Sequence, residues 1–240
     1  MIHIDKTNRM VKLNGQSEKG YGMGGERPDK GTETTARILE AARDEFAEKG
    51  FAGARVDTIA RRAGVNKATL YYHIGDKKAL YAEVIHDVIG KAMLRLAEGT
   101  AQKGSPEDKI RTYIKILART FDDNPQMPRI MMREIASGGP NLPEVFFKDL
   151  MTIITTLGAI IDEGRARGVF GEAMPLLVHF MAIGATVIYK TLAPKILAAQ
   201  GLAGDMGGVP ADVSGKIAHE IGRLVLKALA APSGSHREVS

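Results

Sequence analysis

The sequence predicts an all-α fold, and three observations carry that expectation. The 240 residues draw their apolar content chiefly from Ala, Ile, Leu and Met, with 5% aromatic residues and no Trp. Such side chains suit packed helices better than sheets. Apolar residues recur at three and four along most of the chain, and no segment shows convincing period-two alternation. Gly, Pro and Asn clusters then divide the chain into pieces of helix length.

The overall composition is that of a globular protein, with 44% apolar and 25% charged residues. The length suffices for one large domain or two small ones without covalent staples. The absence of Cys excludes a disulfide framework, a thiolate metal site and a cysteine nucleophile. It fits a cytoplasmic home.

Residues 1–31 lack periodicity, and Gly20–Gly31 is dense in helix breakers, so a flexible arm is expected. Gly22-Met23-Gly24-Gly25 lies within it, but no strand precedes it and no Lys-Ser/Thr pair follows as a phosphate loop needs. The first helix is expected from Thr32 or Thr34, either of which can cap it, to about Lys49. Ile38, Leu39, Ala42 and Phe46 form its apolar face, Gly50 ends it, and Phe51 tucks the chain back. A short helix follows over Val56–Ala63. Gly64 breaks it, Asn66 caps a second short helix from Lys67 to His73 or Ile74, and Gly75 ends that. Asp76 caps a connecting helix over residues 76–98, which carries Leu80, Val84, Ile85, Val88, Ile89 and Leu96.

Beyond Gly104-Ser105-Pro106 the pattern predicts five further helices, Glu107–Phe121, Met127–Ala136, Leu142–Arg167, Ala173–Ala199 and Val209–Ala231. Pro143, Pro175 and Pro210 fall near helix starts, where proline is tolerated. Pro194 falls inside a helix and is expected to kink or end it. The expected organisation is an arm (1–31), a three-helix unit (32–80), a helical second domain (99–231) and a flexible tail (232–240).

Formal net charge is +5. Residues 51–80 alone carry Arg55, Arg61, Arg62, Lys67, Lys77 and Lys78 against Asp57 and Asp76, a net +4. Charge alone fits a phosphate-binding surface or a solvated helical face equally well. The sequence Arg55–Lys77, RVDTIARRAGVNKATLYYHIGDK, sharpens the choice. Two short helices joined at Ala63-Gly64-Val65 make a helix-turn-helix. Ala60 is small enough for close approach, Gly64 can take the turn's backbone shape, Val65 fills the space between the helices, and Leu70 with Ile74 holds the second helix to the core.

That packing leaves Lys67, Ala68, Tyr71 and Tyr72 off the buried stripe, with Thr69 and His73 on its flank. They form a basic, aromatic and hydroxylic face of the kind that reads base edges in a major groove. Arg55, Arg61, Arg62, Lys77 and Lys78 surround it and can meet phosphates. Lys77 also lies at a helix N-terminus, where free N–H groups favour anions. The tyrosines could instead be core aromatics, but Leu70 and Ile74 already fill the core.

Thr35–Leu80 resembles the DNA-binding domain of the tetracycline-repressor (TetR) family of bacterial regulators. The matching pieces are Ile38-Leu39, Ala41-Ala42, Phe46, Gly50-Phe51, Val56 and Ile59-Ala60, then Ala63-Gly64-Val65, Thr69-Leu70-Tyr71, His73, Lys77 and Leu80. Ile74 departs from the pattern, where an aromatic is commonest, and can fill the same slot. The resemblance implies an all-α homodimer that binds double-stranded DNA at a palindromic operator, as a repressor, through Lys67, Ala68, Thr69, Tyr71, Tyr72 and His73, with Lys77 anchoring a phosphate. It also implies that a variable second domain binds a small-molecule effector that releases the DNA, and that the last two helices pair with a second copy.

Two stripes suit that pairing: Leu177, Phe180, Gly184, Val187 and Ile188, and then Ile217, Ile221, Leu224, Val225 and Ala228. Both could equally bury against their own subunit. The second domain lacks a dense basic cluster, so a largely apolar effector is expected, lined by Phe121, Met131, Phe147, Met151, Ile154 and Phe180. Arg133 and Glu134 interrupt this apolar pattern. If buried, they would pair together or hold a polar ligand end; a surface position is the alternative.

No HExxH, GxSxG or phosphate-loop motif supports an enzyme, and no catalytic residue, metal ligand or cofactor site is expected. His86 and His219 are expected to be structural or surface residues. His179 would need a partner if buried, from the core, a ligand or a dimer contact. Ala173–Tyr189, about 17 residues, is the longest apolar run. It contains Pro175 and His179 and reads as a buried helix, so no membrane span is expected.

Overall fold

The computed structural model describes residues 30–101, 103–199 and 211–231. The expected tail, the expected arm up to residue 29 and the glycine-rich break at 201–208 lie outside the described residues. Those residues form nine helices and no strand. The only bridge among them is an isolated antiparallel one between Phe170 and Ala230.

Helix α1 (Lys30–Gly53) starts upstream of both candidate caps, and Thr35 Oγ1 bonds back to the Gly31 carbonyl at 3.0 Å from inside it. Its expected apolar face is buried, with Ile38, Leu39, Ala42 and Phe46 in the core. Gly50 interrupts it at φ 69°, ψ 175°, so the last three residues form a separate turn. That break brings Phe51 back against Phe46 and edge-on to Tyr81, with centroids 5.1 Å apart in the second pair.

Helices α2 (Val56–Arg62) and α3 (Lys67–Ile74) follow. Between them Gly64 takes φ 66°, a left-handed conformation that a side chain would strain. Val65 N–H then donates to the Ala60 carbonyl at 3.0 Å. Asn66 Oδ1 accepts from Thr69 N–H at 2.7 Å and starts α3, and Asp76 Oδ1 does the same for Ala79 N–H at α4. Buried Ile59, Ala60, Ala63 and Leu70 share one core with the buried faces of α1 and α4.

Helix α4 (Lys77–Ala101) belongs to two cores. Leu80, Tyr81, Val84, Ile85 and Val88 complete the first. Leu96 enters the second, which is built on α5 (Pro106–Asp123). Ile110, Tyr113, Ile114, Leu117 and Ala118 of α5 pack against α4, α7 (Glu144–Ala166), α8 (Pro175–Ala199) and α9 (Ala211–Leu229). Full burial of each large side chain contributes about 1.5–3 kcal/mol. Helix α6 (Met127–Ala136) lies against α1 and α8, and its Met127 and Ile130 join the first core.

Helix α8 runs through Pro194 to Ala199, so the proline does not end it. It is the one described helix long and apolar enough to cross a membrane. Its inner face is packed: Val178, His179, Ala182, Thr186 and Val187 are buried. His179 is satisfied in the core by the Tyr113 hydroxyl. His86 is not alone either, since its Nδ1 lies 2.7 Å from the carboxylate of buried Asp149.

The α7–α8 connection is clasped to the end of α9. Gly171 N–H donates to the Leu229 carbonyl at 2.8 Å and Ala231 N–H to that of Val169 at 3.2 Å. Phe170 is buried over Gly164 so closely that a Cβ there would lie 2.0 Å from its ring.

Candidate nucleic-acid interface

Helix α3 presents its outer face because its inner face is fixed. Leu70 is wholly buried and Ile74 packs beside it, half-buried. At 100° per residue Ala68 and Tyr72 fall on the side opposite Leu70, while Lys67 is open as the first residue of the helix. Lys67, Ala68, Tyr71 and Tyr72 are exposed, and Thr69 and His73 are half-buried at the flank. Tyr72 is 87% exposed, more than packing or a partial pocket would allow. Its ring meets the His73 ring edge-on at 5.4 Å. An aromatic this open costs apolar hydration unless something else covers it.

The surrounding cations differ in how far they are committed. Arg55, Arg61 and Lys78 are exposed, and no carboxylate partner is found for them among the described residues. Lys67 pairs with exposed Asp57 at 2.9 Å, a bond water competes with readily. Arg62 is engaged twice, with Glu48 at 3.1 Å and with buried Glu45 at 3.6 Å. The Arg62 guanidinium holds the Glu48 carboxyl below the usual carboxylate range. Glu45 also accepts from Arg55 N–H at 3.2 Å, so it organises the start of α2. Lys77 donates to the Ala52 carbonyl at 3.1 Å with its ammonium 5.0 Å over the Phe51 ring. It joins the end of α1 to the start of α4 while remaining partly open to solvent.

These engagements were not legible in the sequence. Arg62 and Glu48 are fourteen residues apart on different helices, and Lys77 reaches a backbone carbonyl that has no side-chain signature. The contacts of α6 have no local sequence signature either. Arg133 donates to the Glu48 carbonyl at 3.0 Å and Gln126 to Asp44 at 2.8 Å. Glu134 is buried, as one reading allowed, but its partners are the Tyr81 hydroxyl at 2.9 Å and Asn141, not Arg133.

The residues expected around an effector do not gather. Phe147, Met151 and Phe180 are each more than half exposed, because α7 packs through Ile153, Leu157, Ile160 and Ile161, and α8 through Val178 and Ala182. Met131 and Ile154 are half-buried and Phe121 is buried. Of the six, Phe121 alone lines a cleft of about 1040 Å³ between α5, α8 and α9. The expected pairing stripes also divide. Leu177, Phe180, Ile188 and Leu224 face outward, Gly184 and Ile217 are half-buried, and Val187, Ile221 and Val225 belong to their own subunit's core.

A helix-turn-helix held on a three-helix core, with an aromatic and basic outer face, defines a DNA-binding protein. Comparison with known proteins places it more closely. Residues 38–84 match the model for bacterial regulatory proteins of the tetR family, and residues 106–199 match a tetracyclin repressor-like C-terminal domain. The HTH-type transcriptional regulator RutR of Escherichia coli strain K12 is 31% identical over 164 residues, which span 68% of this chain and 77% of RutR. The HTH-type transcriptional repressor SCO4008 of Streptomyces coelicolor is 33% identical over 178 residues, 72% of this chain and 88% of SCO4008. In fold, the chain is similar to the transcriptional regulator FadR from Bacillus subtilis in complex with stearoyl-CoA, with a TM-score of 0.62 at 18% identity over 81% of this chain and 98% of FadR. The chain belongs to the TetR family of transcriptional regulators, which are not enzymes.

Proposed function

We propose that this regulator is a cytoplasmic, ligand-responsive repressor that binds a palindromic operator as a homodimer. The observation that carries the DNA-reading part is Tyr72, 87% exposed beside exposed Lys67, Ala68 and Tyr71 on a helix anchored by Leu70. In this reading Lys67, Ala68, Thr69, Tyr71, Tyr72 and His73 meet bases. Arg55, Arg61 and Lys77, with Lys78, meet phosphates. Arg62 acts first as a brace for α1 and α2, and meets phosphate only by giving up Glu48.

The outward residues Leu177, Phe180, Ile188 and Leu224 support a dimer built on α8 and α9, because together they leave an apolar face on two adjacent helices. A two-fold axis would then set two copies of α3 about one DNA turn apart, roughly 34 Å. Effector binding that favours a different spacing lowers operator affinity by linkage.

The test is selection of binding sites from random duplexes with the full chain, followed by titration of the selected duplex. The expected result is an inverted repeat bound with a stoichiometry of two chains. Recovery of no enriched sequence, or of a single half-site bound by one chain, would overturn the operator reading.

A further inference from the structure

The cleft between α5, α8 and α9 has an unusual electrostatic rim. Two acids lie on it, but each is already engaged: Asp122 with Lys190 and Asp123 with Arg95. Four cations on the same lining, Lys115, Arg119, Arg129 and Lys195, are exposed and have no carboxylate partner among the described residues. They come from α5, α6 and α8, so three elements converge on one concavity with the same sign of charge. Behind them the wall is apolar, with Phe121, Pro128 and Ile217. Thr191 lies on this wall too, and its hydroxyl is buried without a hydrogen-bond partner. A cationic mouth and an apolar wall together match a molecule with a negatively charged head and an apolar body.

We propose that this cleft is an effector site for an amphipathic organic anion, with Arg119 and Lys195 holding the head group. This refines the ligand-responsive reading and rests on it. It adds a charged head to the largely apolar effector expected above: the basic cluster absent from any one stretch of sequence is assembled by folding. Position gives the site a route to the DNA-binding unit. The same cleft is lined by Pro125, Pro128 and Arg129 at the start of α6, and α6 holds α1 through Gln126 and Arg133. A ligand that spreads α5 from α8 displaces that start.

The experiment uses three probes of equal chain length, octanoate, octyl phosphate and octanol, with the full-length protein free of DNA. Binding is read by calorimetry and by melting temperature. One or both anions should bind and, at about a hundred times Kd, raise the melting temperature by roughly 5–10 °C. Octanol should not. Octanoate alone would make the head a carboxylate, and octyl phosphate alone a phosphate. Arg119→Gln with Lys195→Gln, both at exposed positions, should weaken the bound anion at least about tenfold. Gly215→Leu should block the cleft, since a side chain there meets nothing within 4 Å. Octanol binding as well as the anions, binding of none of the three, or unchanged anion affinity in both variants would each overturn the site. Operator affinity of the wild-type protein, measured without any probe, tests the DNA-binding reading separately.

Discussion

Tyr72 and Lys77 are five positions apart and do different things, and substitution separates them. Tyr72 touches little of its own protein, so Tyr72→Ala should leave the melting temperature unchanged. It should weaken a selected operator by about 1–3 kcal/mol while barely changing affinity for random duplex. Lys77→Ala should act on every duplex alike and lower the slope of log affinity against log salt by about one. It should also cost about 1 kcal/mol of stability, because its ammonium holds the Ala52 carbonyl. Lys78→Ala, lacking such a bond, should change the salt slope alone. Fluorescence titrations at several salt concentrations, with thermal melts of the same proteins, check all three. Equal losses on operator and random DNA for Tyr72→Ala would remove it from base reading.

At the scale of elements, the sequence was most legible where local chemistry decides the backbone. Asn66 and Asp76 cap as their residue types predict. Asn66→Ala should therefore destabilise the protein by about 1 kcal/mol and reduce DNA affinity through fraying of α3, which hydrogen exchange at Thr69 would report. Helix α6 runs Met127–Ala136, the span its breakers mark. Legibility failed where a helix has two apolar faces. Periodicity along α8 and α9 shows that a stripe exists but not which residues the subunit keeps for itself. Val187, Ile221 and Val225 are kept and Leu177, Ile188 and Leu224 are not. Leu177→Glu with Ile188→Glu should accordingly leave the fold intact and yield a monomer at micromolar concentration by sedimentation. A persisting dimer would move the interface elsewhere.

For the whole molecule, the buried hydrogen bonds inside each core join residues far apart in the chain, and no single-sequence pattern announces them. Tyr81 to Glu134 spans 53 positions and Tyr113 to His179 spans 66. The second of these predicts a pH dependence. Burial lowers the His179 pKa to about 4, against about 6.5 in the unfolded chain. Above pH 6.5 both states are neutral and stability is full. As pH falls from 6.5 towards 4, the unfolded chain takes a proton that the folded one refuses, and up to about 3 kcal/mol is lost. Below 4 this loss levels off. His179→Gln removes the titrating group, so the stability advantage of wild type over variant should shrink between pH 6.5 and 4. A constant difference in melts across that range would contradict the assignment.

The clasp at Phe170 ties the start of α8 to the end of α9, and the cleft opens between the far half of α8 and the near half of α9. The pair therefore resembles a set of tongs with its rivet at the end remote from the DNA-reading unit. Wedging the jaws changes an angle, not a length, and lever geometry enlarges the displacement nearest α6 and α1. Gly164 is the seat of the rivet. A methyl group there would push Phe170 out, so under the effector-site proposal Gly164→Ala should blunt the loss of operator affinity caused by a bound anion even where calorimetry shows that the anion still binds.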